Sequence, residues 1–120
     1  YNIFVLENKY KPLPEIISYF DRSNQNLYGI LGTNPFAISR YMSAEGYNSS
    51  VYFNSSRFIE VAENSKYSIL MFFNFSGGHF QLLTDYDGET FQLYNPTLRM
   101  SMENLLEKTN DCVRILITVN

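Results

Sequence analysis

The stretch Tyr67-Ser68-Ile69-Leu70-Met71-Phe72-Phe73-Asn74-Phe75 decides the fold. It is a nearly continuous apolar run, too short for a buried helix of a bundle. Such a run is typical of a central strand covered on both faces. Downstream, His79 to Tyr86 and Glu89 to Tyr94 read as a hairpin around Asp87-Gly88. Met100 to Lys108 has a helical pattern through Met102, Leu105 and Leu106. Val113 to Val119 alternates, with Val113, Ile115, Ile117 and Val119 on one side, as a last strand does.

Upstream the pattern is more helical. Tyr1 to Leu6 is short, apolar and β-leaning, and Lys11-Pro12-Leu13-Pro14 makes a turn because prolines fix φ and remove donors. A short helix is expected from Glu15 to about Asp21, with a loop at Ser23-Asn24-Gln25-Asn26 after it. Asn34 as N-cap and Pro35 as first helical residue open another helix. Its buried face carries Phe36, Ala37, Ile38, Tyr41 and Met42, and Gly46 stops it. Val51-Tyr52-Phe53 is a strand candidate. Asn54-Ser55-Ser56 then leads into a helix bearing Phe58, Ile59 and Val61. Helices first and an antiparallel sheet after them define an α+β domain, read as one unit over residues 1–120.

Composition agrees. A chain of 120 residues that is 45 % hydrophobic can bury a core without disulfides or metals. Ten Tyr and ten Phe with no Trp favour strands over a disordered tail. The net charge of −3 gives no attractive field for a phosphate backbone, so nucleic acid is not expected as a partner. One cysteine, Cys112, excludes an internal disulfide and a Cys-rich zinc site, and one histidine argues against a His-based metal site. No apolar stretch reaches the roughly 20 residues that cross a bilayer, and a signal-peptide layout is missing from the first segment. The chain therefore reads as soluble, in the cytoplasm or secreted, with no membrane insertion.

The residues that suggest chemistry are Gly77-Gly78-His79-Phe80 and, through the hairpin, Tyr94-Asn95-Pro96. Each has a plain structural account. A lone His at a strand start is commonly a structural residue, Asn-Pro is an ordinary turn signal, and glycines mark a loop that ends where a strand begins. Together, however, they resemble the C39-like branch of the bacterial papain-like cysteine peptidases. There a Gly-His-Phe-type strand start supplies the catalytic imidazole, and an Asp-Pro or Asn-Pro after the next strand orients it. The helix after Gly32-Thr33-Asn34-Pro35, ending at Glu45-Gly46-Tyr47, and the strand Ser68 to Phe73 are also similar to elements of that family. The resemblance spans most of the chain. It implies a papain-like half with an antiparallel sheet and packed helices, no cofactor, a peptide as substrate or ligand, and His79 and Asn95 as catalytic residues.

Cysteine peptidase chemistry explains those residue types. A thiol attacks an amide well only as thiolate, so an imidazole must take its proton while a fixed acceptor holds the imidazole in one tautomer. A three-residue loop at Tyr86-Asp87-Gly88 would pair His79 with Asn95, with Cβ atoms about 4.5–5.5 Å apart. A two-residue turn at Asp87-Gly88 would pair His79 with Pro96 and turn Asn95 to the other face. Asp-Gly suits both turns.

Family members carry their cysteine at the start of an N-terminal helix, and this sequence has no such motif. Cys112 follows His79 in the chain and is expected to be structural. Three readings follow. The nucleophile lies upstream of Tyr1 or on a second chain, which makes this chain the histidine-bearing portion of a cysteine peptidase or amidase. Alternatively the domain is a peptide-binding module without catalysis. The third reading is a structural or interaction domain that presents tyrosines such as Tyr47, Tyr52 and Tyr86 as a contact surface. An apolar surface left open beside His79 would favour the first two readings and would promote self-association into a homo-oligomer.

Overall fold

The computed structural model describes residues 2–7, 9, 35–53, 55–75, 77–94 and 98–120. The apolar stretch forms a strand, β2 (Tyr67–Asn74), and it is central. It pairs antiparallel with β3 (Gly77–Thr84) on one side and β6 (Val113–Val119) on the other. With β1 (Ser49–Tyr52), β4 (Phe91–Tyr94) and β5 (Leu98–Met100), these strands make a six-stranded antiparallel sheet in the order β1-β6-β2-β3-β4-β5. The fold is α+β.

Both faces of the sheet are covered. Tyr67 on β2 and Ile117 and Val119 on β6 share one face, packed with Ile3 and Phe4 of α1 (Asn2–Leu6) and Tyr41 and Met42 of α2 (Pro35–Ala44). Leu70, Leu83, Leu93 and Leu116 share the other, under Phe58 and Ala62 of α3 (Phe58–Glu63) and Met102 and Leu105 of α4 (Met102–Lys108). This is why β2 shows no polar alternation: each residue in its first half meets a core on one side or the other. Phe58, Leu70 and Leu116 have no exposed surface. Each is worth roughly 1.5–3 kcal/mol of transfer free energy.

Local signals act largely as expected. Pro35 is the first residue of α2, and Gly46, at φ +98°, ends that turn with Tyr47 N donating to the Met42 carbonyl at 3.0 Å. Ser101 caps α4 by accepting from Asn104 N at 3.2 Å. The strand from Val113 to Val119 occupies the expected residues, but Ile115 to Val119 are all buried, so it is covered on both faces.

Other expectations are corrected. Tyr1 to Leu6, read as β-leaning, contains the helix α1. Ile3 and Phe4 are buried while Val5 and Leu6 are 56 % and 40 % exposed, and Glu7 bonds the Tyr67 hydroxyl, so positions 3, 4 and 7 share one face. Met100 belongs to β5 and not to the following helix, which starts at Met102. Of the tyrosines expected to be exposed, Tyr47 is buried against Phe4 (ring centroids 6.2 Å), while Tyr52 and Tyr86 are half-buried, Tyr86 with its ring 4.6 Å from that of Phe91. The helix expected from Glu15 to about Asp21 lies outside the described residues.

Candidate active site

β2 and β3 turn over directly, with Asn74 paired to Gly77, and this hairpin sets where His79 stands. Gly77 has φ +138°, a conformation that L side chains rarely adopt. A Cβ on Gly78 would meet the Cβ of Phe73 at 3.1 Å. Hairpin geometry thus accounts for the Gly-Gly pair without any catalytic demand. The strand begins at Gly77, two residues before the expected start.

His79 is exposed and pairs with Phe72, whose ring centroid lies 5.5 Å from that of the imidazole. Phe72 in turn pairs with Arg114, so Arg114, Phe72 and His79 form one row across three strands. The Arg114 guanidinium donates to the Leu106 carbonyl at 3.1 Å, near the C-terminal end of α4, where a cation is favourable. The residues next along the strands turn to the opposite face of the sheet, where Phe80, paired with Met71, is 37 % exposed and Val113, paired with Phe73, 56 %; Phe75, in the hairpin turn, is fully exposed.

The β3–β4 register differs from both expectations. Leu82 pairs with Tyr94, Leu83 with Leu93 and Thr84 with Gln92. A three-residue loop would have set Leu82 opposite Gln92; the observed pairing is shifted by two residues, which preserves faces but not partners. The connection runs from Asp85 to Thr90. Asp85 takes φ +49° and Gly88 φ +104°. The Asp87 carboxylate accepts from Glu89 N at 2.9 Å and Thr90 N at 2.8 Å, and these backbone bonds hold its pKa down at about 2. Arg99 of β5 ties the loop down, donating to the Asp85 carboxylate at 3.1 Å and to the Asp85 carbonyl at 2.6 Å. Asn95, the expected orienting residue, lies outside the described residues.

Cys112 precedes β6 and is half-buried, with Asn74 Nδ2 3.6 Å from its sulfur. Burial and then the Asp111 carboxylate raise its pKa, which opposes thiolate formation. Val113 pairs with Phe73, which places Cys112 beside Asn74, two strand spacings and two residues from His79. Sheet geometry makes that roughly 12 Å between Cα atoms. No proton passes directly between the two side chains at such a distance.

Two further features of the sheet were not foreseen. Gln81, on the His79 face of β3, is buried and its Nε2 donates to the Tyr94 carbonyl at 2.5 Å. The available signal was a polar residue in phase with the core residue Leu83. A cleft of about 380 Å³ lies at the other end of the strand, between α3, α4 and the β3–β4 loop. Its lining includes Phe91, Met102, Glu63 and Tyr86, and the Tyr86 hydroxyl donates to Glu63 at 2.9 Å. From His79 to Thr84 the strand covers roughly 17 Å, so the cleft is separate from the imidazole. Among the described residues no group of three His, Cys, Asp or Glu side chains is arranged to hold a metal, and no helix is long and apolar enough to cross a membrane. Compared with known proteins, the chain matches no family model and no curated sequence.

Proposed function

We propose that this chain is the histidine-bearing portion of a papain-like, C39-like cysteine peptidase or amidase, with His79 as general base and Asn95 as the residue that orients it. The observation that carries this reading is the exposure of the imidazole, which stands at the uncovered start of β3 beside the half-buried ring of Phe72. A group that must receive a thiol proton and an extended substrate needs such an approach, whereas a structural histidine packs or pairs. The nucleophile of this unit is a thiol other than Cys112, whose raised pKa and place two strands away unfit it for the role.

The test has two arms. The N-terminal sequence and intact mass of the protein isolated from its native cells should show a Gln and then a Cys-Gly ahead of a helix, on this polypeptide or on a co-purifying one. The chain of residues 1–120 by itself should turn over no peptide of a library. Turnover by that chain, abolished by His79→Ala, would overturn the assignment of the nucleophile. Native protein with no such thiol, joined to saturable binding of extended peptides, would make the domain a peptide-binding module instead. That second reading is favoured by the absence of a reactive thiol within reach of His79 among the described residues.

A further inference from the structure

We infer that the cleft between α3, α4 and the β3–β4 loop is a binding site for a primary ammonium carried on an unbranched apolar stem, the chemistry of a lysine side chain or an alkylamine. The cleft lies apart from the imidazole, and its role does not depend on the reading of His79.

The cavity of about 380 Å³ is at the small end of ligand pockets, which suits one side chain or a short amine. Phe91 and Met102, both almost fully buried, close its bottom, and Ile59 and Tyr86 stand half-buried as its walls. Tyr86 is held at both ends. Its ring lies 4.6 Å from that of Phe91, and its hydroxyl is 2.9 Å from the Glu63 carboxylate and 2.8 Å from the Gly88 carbonyl. A wall fixed in this way needs no ordering when the cleft fills.

The charged part of the lining is of one sign. Glu63, Glu89 and Glu103 are exposed at the mouth, and among the described residues no Lys or Arg lines the cleft or forms an ion pair with any of the three. Arg99, on the neighbouring β5, is taken up by Asp85 and Asp87. Glu63 is the last residue of α3, a helix with no basic residue in its last turn, so a carboxylate stands at the helix end that favours a cation. The negative charges also converge. The hydrogen bond to Glu63 and then burial push the Tyr86 pKa up, and the charges of Glu63, Glu103 and Asp87 push it the same way. A cation at the mouth relieves repulsion that the fold leaves standing.

The same geometry selects the kind of cation. Among the described residues no three carboxylates are arranged to chelate a metal ion. A guanidinium forks onto a single carboxylate. Glu63 on α3, Glu89 on the loop and Glu103 on α4 come from separate elements, and they match a point charge with three donors. A stem like that of lysine can lie on Ile59 and Tyr86 while its head stays among the carboxylates.

Backbone amide NMR of the chain tests the site with three probes: acetyl-Gly-Lys-Gly-amide, its norleucine counterpart, which keeps the stem without the charge, and n-butylammonium. The lysine peptide and butylammonium should move the amides of Gly88, Glu89, Ser101 and Glu103 saturably, with Gly77 and Gly78 unmoved and the norleucine peptide without effect. Tighter binding of the peptide identifies a polypeptide lysine as the source; equal or tighter binding of butylammonium identifies a free amine. Glu63→Gln combined with Glu103→Gln keeps shape at two exposed positions and should weaken the lysine peptide about fivefold. Added salt should weaken binding to the wild type, a reading that stands if the double variant does not fold. Norleucine binding equal to that of lysine, shifts that spread over the surface without saturating, an affinity indifferent to salt, or a folded double variant that binds as the wild type does overturns the site.

Discussion

From Gly77 to Phe80 every residue of β3 is exposed, whereas Gln81, Leu83 and Thr84 are buried and Leu82 half-buried. The neighbours divide at the same level. On β2, Tyr67, Ser68, Leu70 and Met71 are buried and Phe72 to Asn74 only partly so; on β6, Val113 is exposed and Ile115 to Val119 are buried. The boundary crosses three strands near the row of Arg114, Phe72 and His79. Among the described residues, α1 to α4 pack on the inner side of that boundary. Composition does not separate the two regions: Phe72, Phe73 and Phe75 are as apolar as Ile69, Leu70 and Met71. What separates them, among the described residues, is whether a helix lies overhead, and His79 stands where that cover ends.

The largest expected effect comes from the covered end. Leu70 has no exposed surface and lies in the cluster with Phe58, Leu83 and Leu116. Leu70→Ala should cost about 2–5 kcal/mol, the transfer term plus the cavity left behind. Urea unfolding followed by circular dichroism measures it. A loss under about 1 kcal/mol would mean that this core gives way as readily as a surface, and the contrast between the two ends would fail.

How much of this contrast could be read in the sequence depends on the element. β6 was legible because seven residues of apolar and β-branched character are long enough to show a strand. α1 was not, since five residues contain little more than one helical turn, and Ile3, Phe4, Val5 and Leu6 look equally apolar until Glu7 shows which side faces the sheet. β5 is three residues long and merged with the helical pattern behind it. The register around Asp87-Gly88 could not be read for a different reason. Asp-Gly fits several turns, and the deciding events are a positive φ at Asp85, a non-glycine, and the clasp by Arg99 from a strand that was itself unforeseen. For the site, the strand bearing His79 and the exposed start of that strand follow from Gly77-Gly78. Gln81 was invisible as an anchor because its partner is a backbone carbonyl, which leaves no mark in the residue type at position 94.

A smaller effect concerns how α1 is held at the covered end. The Tyr67 hydroxyl donates to Glu7 at 2.5 Å and Lys66 Nζ lies 2.6 Å from the same oxygen. Lys66 first, and then Tyr67, lower the Glu7 pKa below its ordinary 4.5. A carboxylate depressed in the folded state contributes stability that is present above pH 4.5 and lost as pH falls through its folded value. Tyr67 works at the other limit: burial and then Glu7 raise its pKa above 10.0, so its contribution is present below pH 10.0 and fades as pH rises past it. In Glu7→Gln the acid limb of this contribution disappears. The difference in Tm between wild type and Glu7→Gln should therefore shrink from pH 7 to pH 3, and a constant difference would mean that Glu7 acts by packing alone.

The smallest expected change in stability belongs to the open end, and it is the one that most sharpens the comparison. Phe75 is fully exposed at the tip of the β2–β3 hairpin, where its ring gains no burial on folding. Phe75→Gln should leave the unfolding free energy within about 0.5 kcal/mol of wild type, because the side chain removes no apolar area from water in the folded chain. The same substitution removes a fully exposed apolar side chain, so it should weaken any concentration-dependent self-association and reduce binding of an apolar dye. Sedimentation velocity over a range of concentrations and dye fluorescence read these two effects separately from stability. A Phe75→Gln chain destabilised as strongly as Leu70→Ala would show that the hairpin tip is covered after all. The contrast between a covered and an open end of the sheet would then lose its support.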